Sequence, residues 1–585
     1  MFKLLRHLYK KDYLYILLAV MFIAGQVWLE LKMPEYMSAI TKLVQTEGSA
    51  MGDILQNGGM MLLCAFGSLI STIIAGYFVS CVGADFSYIT RKRIFDKVES
   101  LSLNEVKKFS TSSLITRTTN DITQTRMLIT MGANMLVRAP MSAIWAIVKI
   151  HGKSWEWSTA TGIAVVILLA TLITTMMIVI PRFKIIQKLT DRLNGVTREN
   201  LTGIRVVRAF NAEKYQEHKF DKSNTELADI NRFVDRVMSV MSPVMYLIMN
   251  GITLVIYFLG AYLIGNSMMA DKLTVFSDMV VFSSYAIHVI MSFLMVAMIF
   301  MMIPRAQVSA DRINEVLDQE ITIKDGSFDD DTAEKGTVEF RNVSFKYPDA
   351  EEYLLRNISF KAEKGQTVAF IGSTGSGKST LINLVPRFYD ATDGEVFVDG
   401  VNVKDYKQKA LRRKLGYIPQ KAVIFSGTVA SNITYGDNGK NKPSERQIQT
   451  AAKVAQAKNF VEKLDKQYNS HVAQSGTNLS GGQKQRLAIA RAVARDPEIY
   501  IFDDSFSALD YKTDAALRQA LKEHTKDATS LIVAQRIGTI MHADQIIVLD
   551  KGECVGHGTH RELMKHCEIY REIALSQLTK EELNV

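Results

Sequence analysis

Four long stretches without a formal charge constrain the fold of this chain more than any other feature. They cover residues 54–84, 157–181, 237–270 and 279–304, so all of them precede residue 306. A helix needs roughly 20 apolar residues to cross the hydrocarbon core of a membrane. Because lipid offers no partner for free backbone N–H and C=O groups, each stretch predicts a membrane-spanning helix.

Two further spans complete the predicted membrane domain. The first begins near Tyr13 and ends near Glu30, and the third contains Arg138. The apolar part of the first span is followed by no small-residue cleavage site, so we expect it to be retained. The six predicted spans are about 13–31, 56–84, 128–150, 157–181, 240–266 and 279–304.

The distribution of basic residues predicts the orientation of these spans. An even number of spans leaves both termini on one side, which they share with the basic segments 91–126 and 182–236. Basic loops mark the cytosolic side, so both termini are predicted to be cytosolic. The formal charge of +9 is thereby explained without nucleic acid. Polar stretches such as Arg182–Asn194 predict helical extensions of the spans into the cytosol.

The chain of 585 residues is too long for a single core, and its mean hydropathy of +0.05 suggests two unlike halves. We expect a transmembrane domain at 1–320, an acidic, glycine-containing linker at 321–336 and a cytosolic domain at 337–585. In the last domain short β-rich runs alternate with helical segments. The predicted fold is therefore an all-α membrane domain of six helices fused to an α/β domain with a mainly parallel sheet. The four cysteines match no disulfide or metal-ligand spacing.

A glycine-rich motif follows an apolar strand at Thr367–Ile371 and precedes a helix-forming stretch. The motif fits the phosphate-loop pattern, in which glycines let backbone N–H groups surround phosphates. A plain glycine-rich turn is the alternative, which the strand, spacing and helix together disfavour. The predicted nucleotide-binding residues are Gly372, Ser373, Thr374, Gly375, Ser376, Gly377, Lys378, Ser379 and Thr380.

Asp503 ends a second apolar strand, Ile499–Phe502. Ligands of open α/β sheets bind at the carboxyl ends of the strands. Asp503 and the Ser379 hydroxyl are therefore predicted to hold Mg²⁺ beside the phosphates of a nucleotide. An Asp after a strand is otherwise a turn or helix-capping residue.

The order of the motifs resembles the ATP-binding cassette of the ABC transporter superfamily. That order is Tyr347, the phosphate loop, Gln420, the run Leu479–Gln483, Asp503 and the run Ser507–Asp510. The resemblance implies that Tyr347 stacks on adenine and that Gln420 reaches Mg²⁺ and the attacking water. It also implies a nucleotide-binding signature that serves the site of a partner cassette. The signature residues are Ser480, Gly481, Gly482 and Gln483.

The resemblance extends over the whole chain. The segment 199–213 is similar to the second cytosolic loop of multidrug-type ABC exporters, where the family carries a coupling helix, and Leu114–Asp121 is the candidate in the first loop. A solvated helix surface is the alternative for both segments. The resemblance implies a transporter ATPase with ATP and Mg²⁺ as cofactors.

Two positions depart from the family. Asp504 stands where the family usually has Glu, and Gln535 stands where it usually has His. The shorter side chain withdraws the carboxylate by about one C–C bond, roughly 1.5 Å. A misplacement of about 1 Å can cost on the order of a hundredfold in rate. An amide cannot take up a proton as imidazole does. Since the signature Ser480–Gln483 is intact, a partner with Glu and His would complete one competent site against it. The chain thus resembles the degenerate-site subunit of bacterial heterodimeric multidrug exporters.

The spans are rich in Met, Phe, Ile and Leu, which favours hydrophobic or amphipathic substrates such as drugs, although most of these residues are expected to face lipid or other helices. Arg138 and His288 are candidates for a translocation pathway, with snorkelling or helix pairing as alternatives. A lipid flippase, a peptide exporter and an ATP-gated regulator remain rival interpretations. The resemblance alone implies a bacterial plasma membrane as the location. The fused domains disfavour an importer, and the spans exclude a soluble nucleic-acid ATPase.

Overall fold

The computed structural model describes residues 1–46, 48–151, 155–266, 268, 271–329, 332–507 and 509–579. The chain forms two compact units. The membrane unit comprises Met1–Glu99 and Ser110–Gln319, and the cassette unit comprises Ser100–Phe109 and Glu320–Val585. The connection between the second and third spans thus contributes a short segment to the cassette unit. Each unit is described below by itself.

The membrane unit consists of long helical segments. Among the described residues, six are long and apolar enough to span a membrane: Lys10–Gln45, Met51–Ser100, Thr111–Ile150, Trp155–Thr202, Glu213–Asn266 and Lys272–Leu317. At about 1.5 Å per residue such helices exceed the roughly 30 Å hydrocarbon core. The fourth segment includes the polar stretch Arg182–Asn194, so the span continues as one helix beyond its apolar part.

Two of the six segments are interrupted. The third consists of helices Thr111–Thr118, Asn120–Met127 and Ala133–Ile150, with a π-helical turn at Leu128–Gly132. The fifth consists of helices Glu213–Ser239 and Met241–Asn266. Two short helices, Phe2–Leu5 and Ile204–Ala209, complete the unit.

Apolar side chains of the first, third, fourth, fifth and sixth segments form one buried core among the described residues. Trp157 and Phe282 are almost fully buried, and their ring centroids lie 5.3 Å apart. The buried Tyr285 donates its hydroxyl hydrogen to the Leu31 carbonyl at 3.0 Å, which satisfies the one polar atom of this side chain. The first, fourth and sixth segments are thereby joined in one core.

The described residues of the cassette unit form twelve strands. They are β1 (Val338–Phe345), β2 (Leu355–Ala362), β3 (Thr367–Gly372), β4 (Asp393–Val398), β5 (Val401–Asn402), β6 (Leu415–Ile418), β7 (Gly427–Thr428), β8 (His471–Val472), β9 (Ile499–Asp503), β10 (Thr529–Val533), β11 (Gln545–Asp550) and β12 (Glu553–Gly558). The largest sheet has the order β12-β11-β3-β10-β9-β6 and is parallel except for β12. All five residues of β9 are buried, as expected for a strand covered on both faces. A second, antiparallel sheet has the order β2-β1-β4-β5.

Helices flank these sheets. Their bounds are Leu103–Lys108, Lys378–Asn383, Gln408–Arg413, Val429–Ile433, Glu445–Val454, Lys458–Val461, Gly481–Arg495, Tyr511–His524, Ile537–Ile540, His560–His566 and Glu568–Gln577. Because β3, β9 and β10 are parallel neighbours, their carboxyl ends share one edge of the main sheet. The phosphate-loop motif follows β3 at that edge, and Asp504 follows β9.

The segment expected to be a linker, 321–336, differs from that expectation. The Gly326 N–H donates to the Tyr406 carbonyl at 3.0 Å, and the Phe328 N–H donates to the Asp405 carbonyl at 2.9 Å. Phe328 also pairs with Tyr406 as a parallel β-bridge. The acidic, glycine-containing composition suggested a free linker, but these backbone bonds make 326–328 part of the cassette unit. Positions 330 and 331 of the expected linker, and positions 508 and 580–585 of the expected cassette domain, lie outside the described residues.

Candidate functional site

The phosphate-loop motif forms a tight turn between β3 and the helix Lys378–Asn383. Gly372 has φ 153°, and a Cβ there would lie 1.9 Å from the Leu549 carbonyl oxygen, so the position admits only glycine. Gly377 has φ 93° and precedes the first residue of the helix. The Lys378 ammonium donates to the carbonyls of Gly372 and Ser373 at 2.9 and 2.7 Å. The lysine therefore lies within the curve of the loop, and burial lowers its pKa.

Ser379 and Asp503 meet at the predicted metal position. The Ser379 hydroxyl donates to Asp503 Oδ1 at 2.6 Å, across 124 residues of sequence. Asp503 is 6% exposed, and burial raises the pKa of its carboxyl while the bond from Ser379 opposes that rise. A hydroxyl and a carboxylate beside the phosphate loop are oxygen ligands of the kind that Mg²⁺ prefers, so the residues fit this ion.

Asp504 forms a second polar cluster at the same edge. Its Oδ2 atom accepts hydrogen bonds from the side-chain amides of Gln420 at 3.1 Å and Gln535 at 2.7 Å. Asp504 has a left-handed backbone with φ 46°, which aspartate tolerates better than most residues. Burial raises the pKa of its carboxyl, and the two amide bonds act in the opposite direction. We call these three residues the Asp504 corner.

Tyr347 lies beside the helix that follows the phosphate loop. Its hydroxyl shares a hydrogen bond of 3.0 Å with the Thr380 hydroxyl. Its ring meets Phe345 and Tyr389 edge to face, with centroid distances of 5.0 and 5.4 Å. The structure thus places the predicted adenine-stacking residue next to the predicted phosphate-binding residues.

The signature residues begin a helix at another place in the cassette unit. Ser480 caps the helix Gly481–Arg495: the Gln483 N–H donates to its hydroxyl at 3.3 Å, and the Ser480 N–H donates to Gln483 Oε1 at 2.8 Å. In the described part of the chain the side-chain hydrogen bonds of Ser480 and Gln483 stay within this helix start. The structure therefore does not bring these two side chains to the phosphate loop of the same chain. A Cβ added at Gly481 would meet nothing within 4 Å, which leaves this side of the helix start open.

Arg138 has a partner that the sequence alone did not reveal. Its Nη2 atom donates to both carboxylate oxygens of Glu30, at 3.0 and 2.9 Å. Glu30 also accepts hydrogen bonds from Gln26 at 2.9 Å and Ser68 at 3.3 Å. Arg138 therefore pairs with a neighbouring helix rather than snorkelling to the membrane surface. His288 lies half-buried on the sixth segment. The available signal was the presence of opposite charges in two otherwise apolar spans.

The two segments expected to be coupling elements, Leu114–Asp121 and 199–213, both belong to the membrane unit. In the first, Arg117 pairs with Glu315 at 2.7 Å, and the Ser309 hydroxyl donates to Asp121 at 3.0 Å. The segment that joins the cassette unit is instead Ser100–Phe109. Its sequence signal was the capping box formed by Ser102 and Glu105, which predicts a helix start.

In the second connection, the segment 199–213 contains the helix Ile204–Ala209. Val206 and Phe210 are 61% and 78% exposed. A cavity of about 500 Å³ lies beside this helix, lined by residues that include Asn200, Ile204 and Phe220.

Comparison with known proteins gives consistent matches over nearly the whole chain. The family described as ABC transporter transmembrane region matches residues 16–301, and the family described as ABC transporter matches residues 355–507. An uncharacterized ABC transporter ATP-binding protein of Mycobacterium tuberculosis is 38% identical over 550 residues, 93% of each chain. An ATP-dependent lipid A-core flippase of Pseudomonas aeruginosa is 32% identical over 506 residues, 86% of this chain and 82% of the relative.

The fold is also that of a solved protein. The structure of a bacterial Atm1-family ABC exporter with ATP bound superposes with a TM-score of 0.78, covering 96% of this chain and 97% of the other at 24% identity. This likeness confirms the predicted fold class, six apolar helices fused to an α/β nucleotide-binding domain.

Proposed function

Because the chain belongs to the ABC transporter family, we propose that it is the degenerate-site half of a heterodimeric exporter. The family and fold make it a multi-pass membrane half-transporter with an ATPase domain coupled to transport. The proposal adds that a different half, with Glu and His at the positions of Asp504 and Gln535, completes the competent ATP site. The exporter would extrude hydrophobic or amphipathic compounds from a bacterial cell, with both termini in the cytosol.

One observation carries the proposal. The Asp504 carboxylate is held by two amides, those of Gln420 and Gln535, on one of its oxygens. Hydrolysis needs a group that activates water and a group that can carry a proton, each within hydrogen-bond reach of the reacting atoms. An amide side chain neither takes up nor releases a proton near neutral pH. The aspartate side chain is also one C–C bond shorter than that of glutamate. The corner is therefore poorly equipped for hydrolysis, and nucleotide binding rests on the phosphate-loop residues.

The remaining residues have roles that this geometry supports. Lys378 and the loop backbone would bind the β- and γ-phosphates, and Tyr347 would stack on adenine. Mg²⁺ would be held by Ser379 and Asp503 with Gln420 nearby, and would neutralise phosphate charge. Ser480, Gly481, Gly482 and Gln483 would complete the nucleotide site of the partner half. In this arrangement the chain contributes a signature to the competent site and a slow site of its own.

The test is ATP hydrolysis by the purified chain in lipid, alone and mixed with a candidate partner half. We expect the lone chain to bind ATP and hydrolyse it feebly, and the mixture to be active. Glu→Gln at the partner's catalytic glutamate should abolish the activity of the mixture. Rapid hydrolysis by the lone chain would contradict the proposal, because Asp504 and Gln535 would then be functional substitutes.

A second candidate function is lipid transport. It is favoured by the relative from Pseudomonas aeruginosa that is named an ATP-dependent lipid A-core flippase. The Glu30–Arg138 pair, partly exposed between spans, supplies charged groups that a lipid headgroup could contact. Stimulation of the mixture's ATPase by lipids but not by hydrophobic drugs would favour this function, and the reverse pattern would favour drug export.

A further inference from the structure

A short helix of the first cytosolic connection is built into the cassette unit. The chain enters this segment from Glu99 and leaves it at Ser110, both of which belong to the membrane unit. Glu105 anchors the helix: it is 1% exposed and accepts hydrogen bonds from the Ser102 N–H at 2.7 Å and the Thr322 hydroxyl at 2.5 Å. Burial would raise the pKa of Glu105, but these hydrogen bonds outweigh it and hold the pKa below its usual range. The helix Leu103–Lys108 therefore has a fixed, ionised anchor.

Lys107 projects from this helix onto two aromatic rings. Its Nζ atom lies over the Tyr347 ring at 5.0 Å from the centroid and over the Tyr389 ring at 5.2 Å. The two rings are perpendicular, with an interplanar angle of 90°. Both distances are within the roughly 6 Å range of cation–π attraction. Contact with Tyr389 raises the pKa of Lys107, with desolvation opposing it, so the side chain remains a cation at neutral pH.

The position of Lys107 conflicts with a base stacked on Tyr347. A purine stacked on the ring face that Lys107 covers would occupy the space where the ammonium lies, 5.0 Å from the ring centroid. The Tyr347 hydroxyl is also hydrogen-bonded to Thr380, and its ring packs edge to face against Phe345, so the side chain is fixed in place. The base and the ammonium therefore cannot share this face.

We propose that Lys107 occupies the adenine platform of this cassette and is displaced when ATP binds. This inference rests on the proposed adenine role of Tyr347. Binding then replaces a cation–π contact with base stacking, so Lys107 lowers the ATP affinity of the site.

Lys107→Met tests the proposal, with Lys108→Met as the matched control. Both variants lose one positive charge from the same helix, but Lys108 is exposed and no ring contact involves it among the described residues. The ATP dissociation constant would be measured by calorimetry on the full chain in lipid nanodiscs without Mg²⁺. We expect Lys107→Met to bind ATP about two- to fivefold more tightly than Lys108→Met, the range expected for an exposed cation–π contact. Lys107→Arg, which keeps the cation, should bind as the wild type does.

Inorganic tripolyphosphate separates an effect on the base from an effect on the phosphates. Because it has no base, its affinity should be the same in Lys107→Met and Lys108→Met. Equal ATP affinities in the two variants, weaker ATP binding by Lys107→Met, or equal tightening of tripolyphosphate would each overturn the proposal. Tyr347→Ala separates the proposed adenine role of Tyr347 from the proposed role of Lys107. Unchanged ATP affinity in Tyr347→Ala would refute the platform itself, whereas weaker binding there with no effect of Lys107→Met would refute only the role of Lys107.

Discussion

The phosphate-loop side of the nucleotide site and the Asp504 corner lie at the same sheet edge but have different chemistry. On the first side a lysine, a hydroxyl and a buried carboxylate converge, with Ser379 and Asp503 2.6 Å apart. In the corner a short carboxylate is held by two amides. Binding needs donors at fixed positions, whereas hydrolysis also needs a proton acceptor placed to a fraction of an ångström. The residues proposed to bind nucleotide and those proposed to act in hydrolysis therefore form two separate clusters at one sheet edge.

The largest expected effect is a gain of hydrolysis in the corner. In a complex whose partner carries Glu→Gln at its own catalytic glutamate, Asp504→Glu with Gln535→His should raise the residual ATPase rate on the order of a hundredfold. The longer side chain restores the reach of the carboxylate, and imidazole restores proton exchange. Steady-state phosphate release measures the rate, and the two single variants serve as controls. No gain in the double variant would show that these two positions are not what limits hydrolysis.

A smaller effect is expected on the phosphate side. Lys378→Met should weaken ATP binding by the chain at least tenfold, since hydrogen bonds to charged groups contribute about 1.5–3 kcal/mol. Equilibrium binding of labelled ATP without Mg²⁺ provides the measurement. Lys364→Met is the control, because Lys364 is an exposed lysine on the turn between β2 and β3. Equal ATP affinities in Lys378→Met and Lys364→Met would show that the phosphate-loop lysine does not contribute to nucleotide binding.

The smallest effect is expected from Asp504→Asn. If the corner contributes little to binding, the ATP dissociation constant of the chain should change by less than about twofold, while any slow hydrolysis at this site declines. The same binding assay applies, with Lys378→Met as the reference for a damaged site. A tenfold loss of ATP affinity in Asp504→Asn would show that Asp504 takes part in nucleotide binding, and would contradict the division into two clusters.

Most of the candidate site was predictable from the sequence because its parts are local. The phosphate loop lies within nine consecutive residues, and Asp503 and Asp504 directly end a buried strand. The composition of 321–336 did not reveal the backbone partners of 326–328, because these lie near residue 405, far along the chain. The sequence also did not single out Ser100–Phe109 as part of the cassette unit.

The sequence by itself determined the spans, the motifs and the two departures at Asp504 and Gln535, because composition and covalent spacing express these directly. Only the tertiary structure decided which distant groups meet. It brought Gln420 and Gln535, 84 and 31 residues from Asp504, onto one carboxylate oxygen, and it paired Arg138 with Glu30 across 108 residues. The physical reason is that local sequence sets backbone preference and burial, whereas contacts between distant segments depend on how strands order in a sheet and how helices pack.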